Sequence, residues 1–433
     1  MYHGGDDVGA IVADIGSYST RVGYAGDDTP RTYMPTAVGV LESEGSVPLF
    51  DLSYRPDLHI ESPVRDGLVV DWDMFEKLWE HSLGKFYSRG GLAGDVDSPP
   101  VLMAEKPYTS MASRHRMCEL MFEKHRPPAL FLSKDAALAA YATGKTGGLV
   151  VDVGASGTLV TPVVDGWVEA RGMARSIVGG RLVDAFIRAD LLDNPLTPLF
   201  RLHKTVGTDA LVITKNTSVT SVTPSYNAFM NLEVARDLKE VLAKTADSTL
   251  YEGDARYAGI PTTSYELPDG TAVEVNIQRF QIAELLIDPS LIEAQGGYQD
   301  LIDLYSRTGQ GVSAGGGGEG GAEGGSVFRM DVDSSSAGAS AGVGAGAGAG
   351  VGVGKRAGRM HAHAYDSPLG ASSGSLDGIP KVVCDAVMRS DPELQTTLLA
   401  NMVLTGGCTA IEGLSERVKA EGENKPKTRK LEI

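Results

Sequence analysis

The first strong pattern in the chain is an apolar run at residues 9–13 that is closed by Asp14. A run of this length and composition is typical of a buried strand. Residues 15–18 then predict a tight turn, and residues 20–22 begin a second strand. Such a hairpin directs backbone N–H groups and the Ser17 hydroxyl at one point, which makes a nest for an anion. The pattern therefore predicts a phosphate-binding loop, with Asp14 placed to hold a metal ion through water.

The same pattern occurs a second time, starting at residue 147. An apolar strand ends at Asp152, the small residues 154–157 form the turn, and a second strand continues to Pro162. Two such hairpins in one chain predict two similar half-molecules that face each other across a nucleotide. The alternative is a pair of ordinary β-turns, which the repetition of the whole pattern disfavours.

Apolar spacing and capping residues predict several helices, three of which bear on the site. A helix over 71–87 carries an aromatic stripe that is expected in the core, and a helix over 133–143 has Ser133 as its N-cap and Gly144 as its stop. A third helix, over 231–246, directs its apolar side inward through Leu232, Ala235, Leu238, Val241 and Leu242.

Two segments do not follow this α/β pattern. Residues 196–228 are rich in Thr, Ser and Val and predict either an insertion or a surface hairpin. Residues 306–378 are rich in Gly, Ala and Ser, so they cannot bury enough apolar surface to offset the entropy lost on ordering. We therefore predict a disordered insertion in an exposed loop over 306–378.

Composition narrows the possible partners. Of the 433 residues, 42% are hydrophobic, which supports a substantial core. No apolar run reaches the roughly 18 residues that indicate a membrane span. The formal net charge of −17 argues against direct binding to nucleic acid, because contacts to the phosphate backbone need a basic surface. The basic tail at 425–433 is either a nuclear localisation signal or a solvated terminus.

Further motifs resemble the actin superfamily. They are Tyr24-Ala25-Gly26-Asp27-Asp28, the run at 67–73, Tyr265-Glu266-Leu267-Pro268-Asp269-Gly270, and the run at 404–409. On these the chain is identified as a member of that superfamily, and residues 4–10 and 35–40 resemble its nuclear class of actin-related proteins. The resemblance implies an α/β, actin-like ATPase fold, with two similar α/β domains around a nucleotide cleft and the C-terminal part truncated.

The same resemblance implies four subdomains. Subdomain 1 comprises residues 1–35 and 67–146, and a shortened subdomain 2 comprises residues 36–66. Subdomain 3 comprises residues 147–178 and 275–424 and is interrupted by the insertion at 306–378. Subdomain 4 comprises residues 179–274.

The resemblance also implies a site. ATP is the implied ligand, and Asp14 and Asp152 would hold the water shell of Mg²⁺ or Ca²⁺. Arg21 keeps the charge of a phosphate-binding Lys but prefers a bidentate geometry. Without the resemblance, Lys239 and Glu240 would be interpreted as a solvated helix face. The full implied nucleotide-binding set is Ser17, Tyr18, Arg21, Gly154, Ser156, Gly157, Arg236, Lys239, Glu240, Gly406 and Gly407.

Several positions that direct hydrolysis depart from the actin pattern. An attacking water must be oriented and partly deprotonated. The resemblance places Asp135 and Leu159 where actin has a Gln and a His, and it places Ala155 where actin has a second Asp. Leu159 cannot hold a water, whereas Asp135 remains a candidate for a residual base. We therefore expect ATP binding with weak or absent hydrolysis.

The leading hypothesis is a nucleotide-binding, non-polymerising scaffold subunit of a nuclear chromatin-remodelling or histone acetyltransferase complex. The resemblance implies actin, and a helical segment of a remodeller motor or acetyltransferase scaffold subunit, as partners. The alternative is a divergent cytoskeletal actin-like ATPase. Sugar kinases and Hsp70-type chaperones share the implied fold, but the motifs quoted above are not expected in them.

Overall fold

The computed structural model describes residues 9–41, 47–84, 86, 99–188, 196–206, 211–248, 259–290 and 375–424. The strands in these ranges are β1 (Ile11–Ile15), β2 (Ser19–Tyr24), β3 (Thr32–Pro35), β4 (Val38–Leu41), β5 (Val47–Leu49), β6 (Leu58–Glu61), β7 (Val64–Arg65), β8 (Leu68–Val69), β9 (Val101–Glu105), β10 (Leu130–Lys134), β11 (Gly148–Val153), β12 (Thr158–Val164), β13 (Trp167–Val168), β14 (Ala174–Ser176), β15 (Leu202–Val206), β16 (Leu211–Lys215), β17 (Thr263–Glu266), β18 (Ala272–Val275) and β19 (Met402–Thr405). The α-helices there are α1 (Trp72–Leu83), α2 (Met111–Leu120), α3 (Asp135–Ala142), α4 (Gly180–Phe186), α5 (Pro224–Leu242), α6 (Gln278–Ile287), α7 (Ile379–Arg389), α8 (Pro392–Ala400) and α9 (Leu414–Asn424).

Two sheets of similar design organise these elements. In the first, the antiparallel β1–β2 hairpin pairs with β3 on one side and with the parallel strands β9 and β10 on the other. In the second, the antiparallel β11–β12 hairpin pairs with the parallel strand β19 through β11 and with β13 and β14 through β12. We call the parts of the chain built on these sheets the first half and the second half. The two predicted hairpins and the mixed α/β architecture are confirmed.

Helices cover each sheet and bury most of the predicted apolar positions. In the first half, α1 buries Phe75, Leu78 and Trp79, so the aromatic stripe belongs to the core as predicted. In the second half, Leu238 on α5 packs with buried residues of α4, α6, α7 and α9. The inward orientation predicted for Val241 is wrong, because its side chain is 60% exposed and lines the cavity described below.

The start of α3 also differs from the sequence prediction. Ser133 was expected to cap this helix, but it lies within β10 and pairs with Ala104 of β9 in a parallel ladder. The helix begins two residues later, at Asp135, without a side-chain cap hydrogen bond. Strand pairing therefore outweighs the capping preference of Ser133, and the carboxylate of Asp135 is placed where β10 ends.

A small three-stranded sheet, β5–β4–β6, lies in the region predicted as subdomain 2. Its residues Leu41 and Leu58 bury against Phe200 and Tyr226, which come from the segment before and within α5. Residues 196–228 contain the antiparallel β15–β16 pair, which fits the predicted hairpin. We call the group of Leu41, Leu58, Phe200 and Tyr226 the outer cluster.

Two predicted segments lie largely outside the described residues. These are positions 306–374 of the predicted insertion and the whole tail at 425–433. The described chain resumes at Ser375, whose carbonyl oxygen accepts a hydrogen bond from Ile177 N at 3.1 Å. Among the described residues, no helix has both the length and the apolar character needed to cross a bilayer.

A buried ion pair joins α9 to α6 and offers a test of this packing. Arg417 donates to both carboxylate oxygens of Glu284, at 3.1 and 3.3 Å, and the two side chains are 2% and 6% exposed. We expect Glu284→Ala to lower the free energy of unfolding by about 3 kcal/mol, because it leaves a buried guanidinium without that carboxylate. Equilibrium urea unfolding measures the change.

The control is Glu416→Ala, on the exposed side of the same helix, which should change the unfolding free energy by less than about 0.5 kcal/mol. Equal effects of the two variants would contradict the assignment of α9 to the core of the second half.

Candidate nucleotide site

The first hairpin turn is held in a defined shape by contacts from three directions. Gly16 N donates to Ser19 O at 3.0 Å within the turn, and Thr36 Oγ1 donates to Gly16 O at 2.8 Å. Ser17 Oγ accepts a hydrogen bond from Gly67 N at 2.7 Å. The backbone of this turn is therefore held in one shape by contacts within the chain, as a preorganised anion nest requires.

The second hairpin turn is closed by the same kind of hydrogen bond and depends on glycine. Gly154 N donates to Gly157 O at 3.0 Å, and Gly157 has a φ of +154°. A Cβ at Gly157 would lie 2.3 Å from Ser176 O, so no larger residue fits there without displacing β14. Gly180 N donates to Gly154 O at 3.0 Å, which ties the turn to the start of α4.

The two turns meet face to face, as the repeated pattern predicts. Ser17 Oγ and Ser156 Oγ are 3.2 Å apart, and Arg181 Nη2 donates to Ser17 O at 2.6 Å. Beside them lies a cavity of about 860 Å³. Its volume lies in the range of nucleotide-sized ligand pockets.

Every site residue predicted from the sequence lines this one cavity. They are Asp14, Ser17, Tyr18, Arg21, Asp135, Asp152, Gly154, Ser156, Gly157, Arg236, Lys239, Glu240, Gly406 and Gly407. The lining also includes residues that sequence reasoning missed, among them Lys106, Tyr108, Arg175 and Asp184.

Lys106 is the most consequential of these missed residues. Its Nζ lies 2.6 Å from Asp152 Oδ2 and 2.8 Å from Asp135 Oδ2, between the end of β9 and the two carboxylates. Burial lowers the pKa of Lys106, but the carboxylates of Asp152 and Asp135 outweigh it and hold the pKa well above the ordinary value. The ammonium group is therefore a fixed positive charge at the base of the cavity. The sequence signal was a basic residue, Lys106, two positions after the apolar run at 101–104.

On the opposite wall, α5 presents Arg236 and Lys239 to the cavity. Lys239 Nζ lies 2.6 Å from Asp184 Oδ1, and Arg236 Nη2 lies 3.3 Å from Asp184 Oδ2. Asp184 is buried, so these basic groups satisfy a carboxylate that water does not reach. Lys239 is thus buried rather than part of a solvated helix face, whereas Glu240 is exposed towards the cavity.

Tyr18 connects the first hairpin turn to this wall. The Arg236 guanidinium lies 3.5 Å from the centre of the Tyr18 ring, and the Tyr18 hydroxyl donates to Glu233 Oε2 at 3.2 Å. Burial raises the pKa of Tyr18 to about 12, so the phenol stays protonated and remains a donor at neutral pH. A stacked cation of this kind contributes about 0.5–2 kcal/mol.

The positions expected to direct hydrolysis are committed to other contacts. Asp135 is paired with Lys106, and burial raises the pKa of Asp135 against the opposing pull of that lysine. Leu159 is buried in an apolar cluster with Tyr108 and Met173. The side chain of Leu159 has no polar atom that could orient a water, as the sequence already indicated.

The two carboxylates expected to hold a metal ion do not form an open pair. Asp152 Oδ2 forms an ion pair with Lys106 Nζ. Asp152 Oδ1 lies close to Gly406, and a Cβ added at Gly406 would be 2.6 Å from this oxygen. Asp14 faces Arg21 at 3.4 Å in an exposed pair. Among the described residues, no group of three or more His, Cys, Asp and Glu is arranged to hold a metal ion. The two carboxylates expected to hold the water shell of the ion are thus each paired with a basic side chain of the protein.

Comparison with known proteins identifies the family of this chain. The actin family model matches residues 5–433. A protein named actin-related protein 4 from Oryza sativa subsp. indica is 30% identical over 457 residues, covering 97% of this chain and 86% of that protein. One of the same name from Arabidopsis thaliana is 31% identical over 336 residues, covering 70% of this chain and 75% of that protein. The chain therefore belongs to the actin family.

The loop at 406–407 provides a matched pair of variants for the site. Gly406 has a φ of +94°, and a Cβ there would lie 2.4 Å from Val153 O, whereas a Cβ at Gly407 would meet no atom within 4 Å. We expect Gly406→Ala to lower the free energy of unfolding by about 1–3 kcal/mol and to weaken nucleotide binding, because the loop must move away from Asp152. Urea unfolding and ATP titration measure the two effects.

Gly407→Ala, the neighbouring control, should leave the unfolding free energy within about 0.5 kcal/mol of the parent. Equal changes in unfolding free energy and ATP binding for the two variants would contradict the close approach of this loop to Asp152.

Proposed function

We propose that this chain is a nucleotide-binding, non-polymerising actin-related scaffold subunit of a nuclear chromatin-remodelling or histone acetyltransferase complex. The observation that carries the proposal is the meeting of the two hairpin turns at a cavity whose hydrolytic positions are occupied by a paired carboxylate and a buried leucine. The proposed ligand is ATP. The proposed activity is binding, with hydrolysis weak or absent.

Nucleotide binding is supported by preorganisation on both sides of the cavity. The turns at Ser17 and Ser156 are each held in shape by a backbone hydrogen bond within the turn, and α5 carries Glu240 on its exposed side next to the cavity. A ligand that bonds to groups already held in place loses less entropy on binding. The cavity is therefore suited to hold a triphosphate at the turns and a nucleoside towards α5.

Weak hydrolysis is supported by the state of Asp135. A general base must accept a proton from water, and its carboxylate must be within reach of that water. The Asp135 carboxylate instead accepts from the Lys106 ammonium at 2.8 Å. Using it as a base would first require breaking a largely buried ion pair, which is costly.

The non-polymerising role is supported by contacts of the loop between β5 and β6 of the small sheet β5–β4–β6. Tyr54 Oη donates to Ser221 O at 2.7 Å, and Tyr226 Oη donates to Leu52 O at 3.1 Å. The resemblance implies that a loop in this region binds the next subunit of a filament. In this chain, Leu52 and Tyr54 of this loop bond to Tyr226 and Ser221 of the same chain, so less of the loop's surface is available to another subunit.

The family relationship supports a proposal for the partners and the compartment. We propose actin, and a helical segment of a remodeller motor or acetyltransferase scaffold subunit, as partners in the nucleus. The net charge of −17 supports contact through proteins rather than directly through nucleic acid. No membrane contact is proposed.

Thermal unfolding with ATP tests the nucleotide-binding role. Saturation at about 100 times the dissociation constant should stabilise the folded state by about 2.7 kcal/mol, because the ligand binds only that state. Phosphate release from ATP incubated with the protein should stay at the level of a protein-free blank. Sustained release would favour the alternative of an actin-like ATPase.

A variant pair separates binding from folding in that experiment. Glu240→Ala should weaken ATP binding by about tenfold without lowering the melting temperature of the ligand-free protein, since Glu240 is exposed at the cavity. Asp247→Ala, an exposed acidic control outside the cavity lining, should bind ATP as the parent does. Equal affinities for both variants would contradict the placement of the nucleoside beside α5.

Sedimentation tests the non-polymerising role. In ATP, salt and Mg²⁺ that support actin assembly, we expect the chain to remain in the supernatant at concentrations where actin pellets. Pelleting that requires ATP would refute this part of the proposal and would favour a cytoskeletal role.

A further inference from the structure

The ammonium group of Lys106 occupies a position that the resemblance assigns to the surroundings of a divalent cation. It contacts Asp152, one of the two carboxylates expected on the metal side, and Asp135 at the start of α3. The three side chains are 23%, 19% and 24% exposed, respectively, so their pairing is far less screened than a surface ion pair. A permanent positive charge therefore lies between two carboxylates at the base of the cavity.

Lys106 is held in this position along its whole length. Gly67 has a φ of +74°, and a Cβ there would lie 2.6 Å from Cγ and 2.8 Å from Cε of Lys106. The backbone at Gly67 therefore lies directly against the lysine stem, and its N–H group donates to Ser17 Oγ in the first hairpin turn. Lys134 Nζ donates to Lys106 O at 3.3 Å. The same contacts thus fix the lysine and shape the phosphate-binding turn.

A divalent cation would compete poorly for Asp152. Mg²⁺ and Ca²⁺ prefer oxygen ligands, and Mg²⁺ gives up its water reluctantly. Binding at Asp152 would displace the ammonium group and leave a mostly buried lysine without one of its two carboxylates, which is unfavourable. Asp14, the other expected carboxylate, already faces Arg21. Each of the two carboxylates expected to hold the cation thus already has a basic side chain of the protein as its partner.

We propose that Lys106 takes the place of the divalent cation, so that this site binds the triphosphate group of a nucleotide as the free anion, without Mg²⁺ or Ca²⁺. The inference rests on the proposed nucleotide binding and adds its metal independence. A purely structural lysine, which only ties Asp152 of the second half to the first half, is the competing interpretation. The two differ in what removal of the lysine does to the metal dependence of binding.

The test is a titration of the full chain with ATP by calorimetry, once with Mg²⁺ and once with EDTA. For the parent protein we expect the two dissociation constants to agree within about threefold. For Lys106→Ala we expect binding with Mg²⁺ to be at least about tenfold tighter than with EDTA, because Asp152 and Asp135 become available to a hydrated cation. Lys77→Ala, on the exposed side of α1, is the control and should behave as the parent.

A second variant keeps the experiment independent of folding. Lys106→Met retains an aliphatic stem against Gly67 and should show the same Mg²⁺ dependence as Lys106→Ala, with thermal unfolding confirming that each variant is folded. A structural lysine predicts variants of lowered stability whose ATP binding remains indifferent to Mg²⁺, and this result would overturn the inference.

The outcomes also separate the inference from the proposed function. ATP binding by the parent that weakens more than about tenfold in EDTA would overturn the inference and leave the nucleotide-binding role intact. Absence of ATP binding by the folded parent under both conditions would overturn both.

Discussion

The ammonium group of Lys106, bonded to Asp135 and Asp152, is the interaction on which the geometry of the site depends. Lys106 follows β9 of the first half, whereas Asp152 lies near the end of β11 in the second half. Charges removed from water are stable only when they are paired with good geometry, so these groups constrain one another tightly. The hairpin turns on either side are consequently brought within hydrogen-bond distance through Ser17 and Ser156.

The two halves repeat one design but have diverged at the position opposite each aspartate. In the first hairpin Asp14 pairs in register with Arg21, and in the second Asp152 pairs in register with Leu159. A cation opposite the aspartate is thus supplied by the hairpin itself in the first half. In the second half that position is apolar and belongs to a buried cluster, so the partner of Asp152 comes from the loop after β9. The apolar Leu159 opposite Asp152 and the Lys106 ammonium that bonds to Asp152 are therefore complementary parts of one local arrangement of charge.

The features that sequence reasoning predicted are those determined by local pattern or by the family motifs. The two hairpins follow from apolar runs that end in an acidic residue and small residues, and the Gly406 loop follows from the motif that contains it. What was missed depends on contacts between distant segments. Lys106 meets Asp152 across 46 residues of sequence, and Lys239 meets Asp184 across 55. Nothing in the periodicity around those residues indicates the pairing.

Local preference also failed where tertiary contacts opposed it. Ser133 is a good helix cap, yet its place in the β9–β10 ladder keeps it extended. Val241 fits the apolar spacing of α5, yet that side of the helix faces the cavity rather than the core. In both cases the neighbouring strand or cavity, which is specified elsewhere in the chain, decides the outcome.

Helix α5 links the site to the outer part of the molecule. Its N-terminal end places Tyr226 in the outer cluster with Leu41 and Leu58, and its C-terminal end carries Lys239 and Glu240 at the cavity. Swinging α5 away from the small sheet would expose these large side chains, at about 1.5–3 kcal/mol for each one fully exposed. The Lys106 contacts oppose separation of the two halves at the base of the cavity as well. In the proposed function, a nucleotide held between two such restraints would stabilise the fold, which is the property that a scaffold subunit needs and that rapid turnover would sacrifice.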